Sequence, residues 1–332
     1  MVTLDELRRA QERLRGFAVH TPLIPHTHGT SDQALWFKPE NLQPIGTFKL
    51  RGAYNKLCSL SPEERTRGVI TYSSGNHAQG VAYAAHAMGI KAVIVMPGNT
   101  PNIKVDATAA LGAEIVMVGN SSVERRVCAE QLALEHGYTI IPPYNDEKII
   151  AGQGTAGLEI AADLPDVDCV LVPVGGGGLI SGVATALKLT RPHVKVIGVE
   201  PELANDAQRS FRIGTIVDLS ANETARTIAD GLRTQSVGEI NFEHIQKYVD
   251  DIVTVTEGDI YSAMRHLALK VKLVAEPSGA VAFAAFLYQQ RTLPPAANVV
   301  AVISGGNVEP GLLAAVLRNE PIGKESEFGA NQ

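Results

Sequence analysis

A lysine set among small and aromatic residues, and a run of four glycines, are the features of this chain that could do chemistry. Lys49 stands in Gly46-Thr47-Phe48-Lys49-Leu50-Arg51-Gly52, just ahead of a helical segment. In an apolar site a lysine gives up its charge more easily and becomes a nucleophilic amine. A lone lysine is more often a solvated surface group, so this stretch gains meaning only from its company. Gly175–Gly178 provide that company. They follow the apolar run Cys169–Val174 and precede the helix-like Leu179–Leu189. Without side chains, backbone N–H groups can approach an anion closely, and a helix N-terminus adds partial positive charge. The pattern favours a bound phosphate over a plain tight turn.

Three weaker motifs join these. Ser73-Ser74-Gly75-Asn76-His77 lies between the strand-like Val69–Tyr72 and the helix-like Ala78–Met88. Hydroxyls and an amide at such a junction can hold a carboxylate, or can merely cap the helix. His77 could be a base there, or a hydrogen-bonded structural residue. Ser304-Gly305-Gly306-Asn307 follows the strand-like Val299–Ile303, at the strand end where α/β sheets bind ligands; a turn explains it equally well. In Glu200-Pro-Glu-Leu-Ala204-Asn-Asp206, two carboxylates and a backbone carbonyl could hold a hard divalent cation, although acidic loops are usually just solvated. The glycine run also admits an NAD(P) reading, with Glu200 as the ribose-binding acid. The G-x-G-x-x-G spacing fails, because the sixth position from Gly175 is Ile180 and from Gly176 is Ser181. A nicotinamide-dependent oxidoreductase and a non-catalytic anion- or amino-acid-binding protein therefore stay open at this point.

The elements that must position these residues alternate. Short apolar runs at Val69–Tyr72, Ala92–Met96, Glu114–Val118, Tyr138–Ile141, Cys169–Val172, Lys195–Val199, Ile252–Val255 and Val299–Ile303 read as strands. Helical segments such as Ala78–Met88, Lys104–Leu111 and Ser122–His136 separate them. This predicts an α/β fold with mostly parallel sheets and helices on both faces. Thr3 and Glu6 have capping-box spacing at the head of an opening surface helix.

Bulk properties exclude several classes. The chain has 332 residues, 45% of them hydrophobic, enough for two domains. A net charge of −6 without a basic patch argues against nucleic acid. Cys58, Cys128 and Cys169 are scattered, which suits a reducing compartment better than a thiolate metal cluster. The N-terminus lacks an apolar signal segment and no run of about 18 apolar residues occurs, so a cytoplasmic protein with no membrane partner is expected.

Taken in order, the blocks "FKLRGA" (Phe48–Ala53), "SSGNHAQG" (Ser73–Gly80), "AGQGT" (Ala151–Thr155), "PVGGGGL" (Pro173–Leu179), "TIADG" (Thr227–Gly231) and "SGGN" (Ser304–Asn307) resemble the serine racemase and threonine dehydratase family of fold-type II pyridoxal-phosphate (PLP) enzymes, including 3-hydroxyaspartate dehydratases. The resemblance runs from about residue 5 to residue 318. It implies a tryptophan synthase β-like α/β fold with two open, twisted sheets. The large domain would comprise residues 1–67 and 146–332, and a small mobile domain residues 68–145.

By the same resemblance, Lys49 carries PLP as a Schiff base and acts as the catalytic base. Gly175, Gly176, Gly177 and Gly178 hold the cofactor phosphate. Asn76 meets the ring hydroxyl, Phe48 packs beside the ring and Ser304 faces the pyridine nitrogen. Ser73, Ser74, Asn76 and His77 grip the substrate carboxylate, and Arg125 reaches the substrate pocket. Ser74 matches racemases and hydroxyaspartate dehydratases, whereas threonine dehydratases commonly have Ala there. The implied activity is elimination from serine, threonine or 3-hydroxyaspartate to a keto acid and ammonia, with some serine racemisation. Glu200, the Ala204 carbonyl and Asp206 match a Mg²⁺ or Ca²⁺ site, and a homodimer is expected. Pro44 stands where mammalian serine racemases have a lysine near ATP, and it offers neither that cation nor a hydrogen-bond donor. Isoleucine feedback is not expected, for want of a regulatory domain.

Overall fold

The computed structural model of the chain describes residues 1–26, 33–73, 75–98, 100, 102–119 and 122–321. Among these, ten strands form two sheets. They are β1 (Ile24–Pro25), β2 (Ala34–Pro39), β3 (Val69–Tyr72), β4 (Ala92–Pro97), β5 (Glu114–Val118), β6 (Thr139–Ile140), β7 (Cys169–Pro173), β8 (Lys195–Pro201), β9 (Asp251–Val255) and β10 (Asn298–Ile303). The larger sheet has the order β1-β2-β10-β7-β8-β9, and the smaller β5-β4-β3-β6. Only β1 pairs antiparallel with its neighbour; the remaining pairs are parallel. The smaller sheet draws all its strands from residues 69–140.

Helices cover both faces of the larger sheet, which is why its strands read as continuous apolar runs. Along β10, Val299, Ala301 and Ile303 face a cluster built on Phe37, Leu171 and the helix Pro277–Tyr288, with Phe283 at its centre. Val300 and Val302 point the other way, against Val170, Val172 and the helix Gly178–Thr190. The smaller sheet repeats the alternation: Ile94 and Met96 pack toward the helix Asn76–Met88, and Val93 and Val95 toward Ala129 of the helix Ser122–His136.

A buried ionic cluster sits beneath the lysine motif. Arg51, only 1% exposed, donates to both Glu40 oxygens and both Glu159 oxygens, and to Thr155 Oγ1. Lys38, on β2, is fully buried and bonds Glu159 and the Thr21 carbonyl. Two cations thus face two carboxylates with hydrogen bonds on every side, the condition under which buried charge is tolerated. The cluster ties the start of the helix Lys49–Cys58 to β2 and to the helix Glu147–Asp163. The latter helix packs very closely on its neighbours. A Cβ at Gly152 would come within 2.6 Å of the Arg51 carbonyl, and one at Gly154 within 2.8 Å of the Gly182 carbonyl.

Candidate active site

Parallel strands all point the same way, so the loops at their C-terminal ends converge. After β7 comes the glycine run, after β3 the Ser73–His77 junction, and after β10 Ser304. Between them lies a cavity of about 500 Å³, whose walls include Phe48, Lys49, Ser73, Asn76, His77, Arg125, Gly175–Gly178 and Ser304. Residues scattered over some 250 positions of sequence share one space. Ser74 lies outside the described residues.

Lys49 enters at the head of its helix. A bridge between Thr47 and Gly305, with a bond from Phe48 N–H to the Ser304 carbonyl at 3.1 Å, pins the lysine loop to the end of β10. Lys49 Nζ donates to the Pro143 carbonyl at 2.8 Å and lies 5.3 Å from the Phe48 ring centroid. Burial disfavours its ammonium form and the Glu276 carboxyl partly restores it, leaving the pKa lowered to about 8. The amine is therefore available as a nucleophile and base near neutral pH.

The glycine run opens the helix Gly178–Thr190. Its N-cap residue, Gly177, has φ +90° and provides no side-chain cap. The first N–H groups of that helix lack intrahelical acceptors and lie in the cavity wall. Side chains here would close the cradle: a Cβ on Gly176 would overlap the Tyr144 ring. Such a cradle suits a phosphate.

The remaining candidates divide. Ser304 is 4% exposed, and its hydroxyl reaches the Ser278 carbonyl at 3.4 Å, a long bond that leaves it available to a ring nitrogen. His77 Nε2 bonds the Ile141 carbonyl at 2.9 Å; burial and the neighbouring Lys49 hold its pKa down at about 3. Its surroundings thus favour the neutral imidazole. Ser73 Oγ accepts from Gly75 N–H, and the helix Asn76–Met88 begins without a side-chain cap. Its N-terminus is thus open to an anion rather than closed by the motif. Arg125 reaches the same cavity from the helix Ser122–His136, half-buried and with its pKa lowered by that burial.

Glu200, Ala204 and Asp206 lie apart from the cavity walls and are all buried. Glu200 accepts from the N–H groups of Ala207 and Gln208 at 3.1 and 2.7 Å. Those bonds use one lone pair on each oxygen, and Glu200 is not among the residues lining the cavity that holds the glycine run. Among the described residues neither Asp206 oxygen has a well-aligned hydrogen-bond partner, although the backbone N–H groups of Asp206 and Val237 lie near enough to pull its pKa down. Burial, reinforced by Asp206, raises the Glu200 pKa well above the usual range, and burial raises that of Asp206 to about 7. Two carboxyls facing each other, one of them without a well-aligned partner, have the chemistry of a site that expects a hard cation. No cluster of three or more metal-binding side chains occurs among the described residues, so a cation here would also draw on carbonyls and water.

A family profile described as "Pyridoxal-phosphate dependent enzyme" matches residues 15–305. The chain belongs to that family. It is 40% identical to the L-threo-3-hydroxyaspartate ammonia-lyase of Saccharomyces cerevisiae, over 97% of this chain and 98% of that one. It is 43% identical to the L-threonine ammonia-lyase of Thermotoga maritima, over 96% of this chain and 78% of the other. Among solved structures, maize serine racemase superposes with a TM-score of 0.90 at 36% identity, covering 96% of this chain and 97% of that one. The fold-type II α/β architecture expected from the sequence is borne out.

The cavity also holds residues to which the sequence assigned no role. Tyr144 lies against the glycine cradle, Glu276 faces Lys49, and Asn307 touches Asn76. Lys104 lies 3.7 Å from Asp230 and 3.4 Å from Glu309. A signal for Glu276 did exist. It is the one carboxylate in the otherwise apolar stretch Leu273–Phe286, directly ahead of a proline that opens a helix.

Proposed function

We propose that this enzyme is an ammonia-lyase for β-hydroxy-α-amino acids, converting serine, threonine or 3-hydroxyaspartate to a keto acid and ammonia, and that it also racemises serine. The observation that carries this reading is the Lys49 amine, with its pKa near 8, in one cavity with the glycine cradle. Lys49 would hold PLP, with Gly175–Gly178 around the phosphate, Phe48 beside the ring, Asn76 at its hydroxyl and Ser304 at its nitrogen. Bound PLP supplies an electron sink that acidifies the Cα–H of the amino acid. Lys49 takes that proton. Ser73, Ser74, Asn76 and His77 orient the substrate carboxylate, His77 as a neutral group. Elimination breaks Cα–H and Cβ–O and releases water; hydrolysis returns a water and frees ammonia, with no net redox change. Ser304 carries no charge, so it does not enforce a protonated ring nitrogen, and a weaker sink favours elimination over longer-lived carbanion chemistry.

The racemase component rests on the resemblance at Ser74, whose hydroxyl would return to Cα the proton that Lys49 removes, from the opposite side. Ser74→Ala should abolish D-serine formation from L-serine while ammonia release continues. Racemisation that persists in this variant removes Ser74 from the mechanism. Arg125, a cation in the cavity wall, supports a substrate with a second carboxylate. Arg125→Ala should lower kcat/KM for 3-hydroxyaspartate about tenfold more than for serine, the contribution of one charge-assisted bond. Equal losses dismiss that role. Ammonia release across serine, threonine and 3-hydroxyaspartate, compared with Lys49→Ala, tests the reading as a whole.

Three further features belong to it. The part of the chain around the smaller sheet, residues 68–145, would close over the substrate as a unit against residues 1–67 and 146–332, excluding water. Mg²⁺ or Ca²⁺ would occupy the site of Glu200, the Ala204 carbonyl and Asp206, supported by the Asp206 oxygens that lack a well-aligned partner. A homodimer in a reducing, cytoplasmic setting fits the resemblance and the three free cysteines. Sedimentation velocity tests the dimer. No helix among the described residues is long and apolar enough to cross a membrane.

A further inference from the structure

Glu276 stands directly before the helix Pro277–Tyr288, 4% exposed and in the cavity wall. Its Oε1 accepts from Asn76 Nδ2 at 2.7 Å. Asn76 Oδ1 in turn accepts from Asn307 Nδ2 at 2.8 Å. Asn307 Nδ2 is itself anchored to the Ile45 carbonyl at 2.9 Å. The two bonds to Asn76 decide which way its amide faces. Reversed, the amide would set its oxygen against a carboxyl oxygen and its NH₂ against another NH₂. Packing enforces the same arrangement. A Cβ on Gly305 would overlap Glu276 Oε1, and one on Gly46, where φ is +70°, would overlap Asn307 Oδ1. The glycines of "SGGN" and of the lysine loop are thus the space into which this chain of side chains fits.

An amide nitrogen carries two hydrogens. One of those on Asn76 goes to Glu276, and Asn76 also lines the cavity. We propose that Glu276 is a positioning residue for the reaction: with Asn307 it locks the Asn76 carboxamide so that its second Nδ2 hydrogen is presented to PLP. The proposal rests on the PLP-enzyme reading of the cavity. Glu276 and Asn307 act only through Asn76, and the recognition of the cofactor is set one residue away from the residues that contact it.

The test is titration of the PLP-free protein with PLP, followed by the visible absorption of the bound cofactor. Wild type, Glu276→Ala, Glu276→Gln and Asn307→Ala are compared. Glu276→Ala should weaken PLP binding about tenfold, as loss of one hydrogen bond does, and should shift the absorption maximum. Asn307→Ala should move both readouts the same way, and keeps the proposal testable should Glu276→Ala not fold. Glu276→Gln retains an oxygen that accepts from Asn76 and should return affinity to within about threefold of wild type. A merely structural carboxylate would not be rescued in the spectrum. Unchanged affinity and spectrum in Glu276→Ala and Asn307→Ala overturn the proposal. So does a Glu276→Gln as weak as Glu276→Ala, which would make the charge and not the orientation the contribution. A wild-type chain that takes up no PLP fails the cofactor reading and the proposal together; a wild type that binds PLP beside variants that bind it equally well fails the proposal alone.

Discussion

Two lysines eleven positions apart, Lys38 fully buried and Lys49 partly so, meet different fates. Lys38 lies in the ionic cluster with Arg51, Glu40 and Glu159, where each cation touches a carboxylate. Lys49 lies in the cavity, where among the described residues it bonds the neutral Pro143 carbonyl, and Glu276 acts on it through the field. Contact pairing keeps a buried charge ionised and makes it structural. Withholding the partner lets burial drive the charge off and makes the group reactive. The protein builds a scaffold and a reagent from the same residue type by changing what stands beside it.

The comparison breaks most visibly at one residue from each region, Lys49 from the cavity and Arg51 from the ionic cluster. Lys49→Ala should lower ammonia release from serine by at least about a thousandfold, since it removes the base that takes the Cα proton. The same variant should leave the melting temperature of the PLP-free protein unchanged or higher, because it deletes an amine that burial destabilises. Arg51→Ala should do the reverse to stability. It strands Glu40 and Glu159 in the interior and should cost about 3–5 kcal/mol in urea denaturation. A Lys49→Ala that unfolds, or an Arg51→Ala that does not lose stability, would erase the distinction between the two regions.

The third buried acidic region sharpens the contrast, because among the described residues its two carboxyls form no ion pair and burial pushes both toward the neutral form. Glu200 and Asp206 should therefore respond to an ion from outside. Addition of Mg²⁺ or Ca²⁺ at about a hundred times its Kd should stabilise the EDTA-treated protein by about 2.7 kcal/mol, read as a rise in melting temperature. Asp206→Asn should cancel most of that rise while itself relieving repulsion in the metal-free form. A melting temperature indifferent to both ions would show that protonation alone settles this pair.

The parts that could be read from sequence are those where local chemistry and location agree. The strands Val69–Tyr72 and Glu114–Val118 were legible to the residue, as apolar runs between helical stretches. The capping box at Thr3 and Glu6 is present as its spacing predicts. Where tertiary pairing overrides the local pattern, the reading stops. β2 contains Lys38 and Pro39, which look foreign to a buried strand until Glu159, more than a hundred residues away, is known to meet that lysine. The helix Glu147–Asp163 is interrupted by Gly152, Gly154 and Gly157, residues that disfavour a helix in isolation. They are there because neighbouring backbones press against them. In the site, the glycine run and Lys49 announced themselves, whereas Glu276, Asn307 and Tyr144 act through partners that only the fold brings near.

The smallest expected effect tests the field that separates the two lysines. A solvated lysine loses its proton near pH 10.4, and burial brings Lys49 to about 8. The rate of PLP capture should accordingly rise up to about pH 8 and then level, where a solvated amine would continue to gain two units further. Glu276 pulls the other way, since a carboxylate favours the ammonium form. Burial, with Asp230, raises the Glu276 pKa to about 8 against the pull of Asn76 and Lys104, so its field on Lys49 grows in as pH approaches that value; His77 faces Lys49 as a neutral ring. Glu276→Gln removes the one carboxylate acting on Lys49, so the capture midpoint should move to lower pH by about half a unit, equivalent to about 0.7 kcal/mol. Stopped-flow absorbance across pH 6 to 10 reads it, on the order of a few points per unit. A midpoint near 10 in wild type would place the Lys49 amine in water-like surroundings, and a midpoint that rises in Glu276→Gln would reverse the sign of the field on which its reactivity depends.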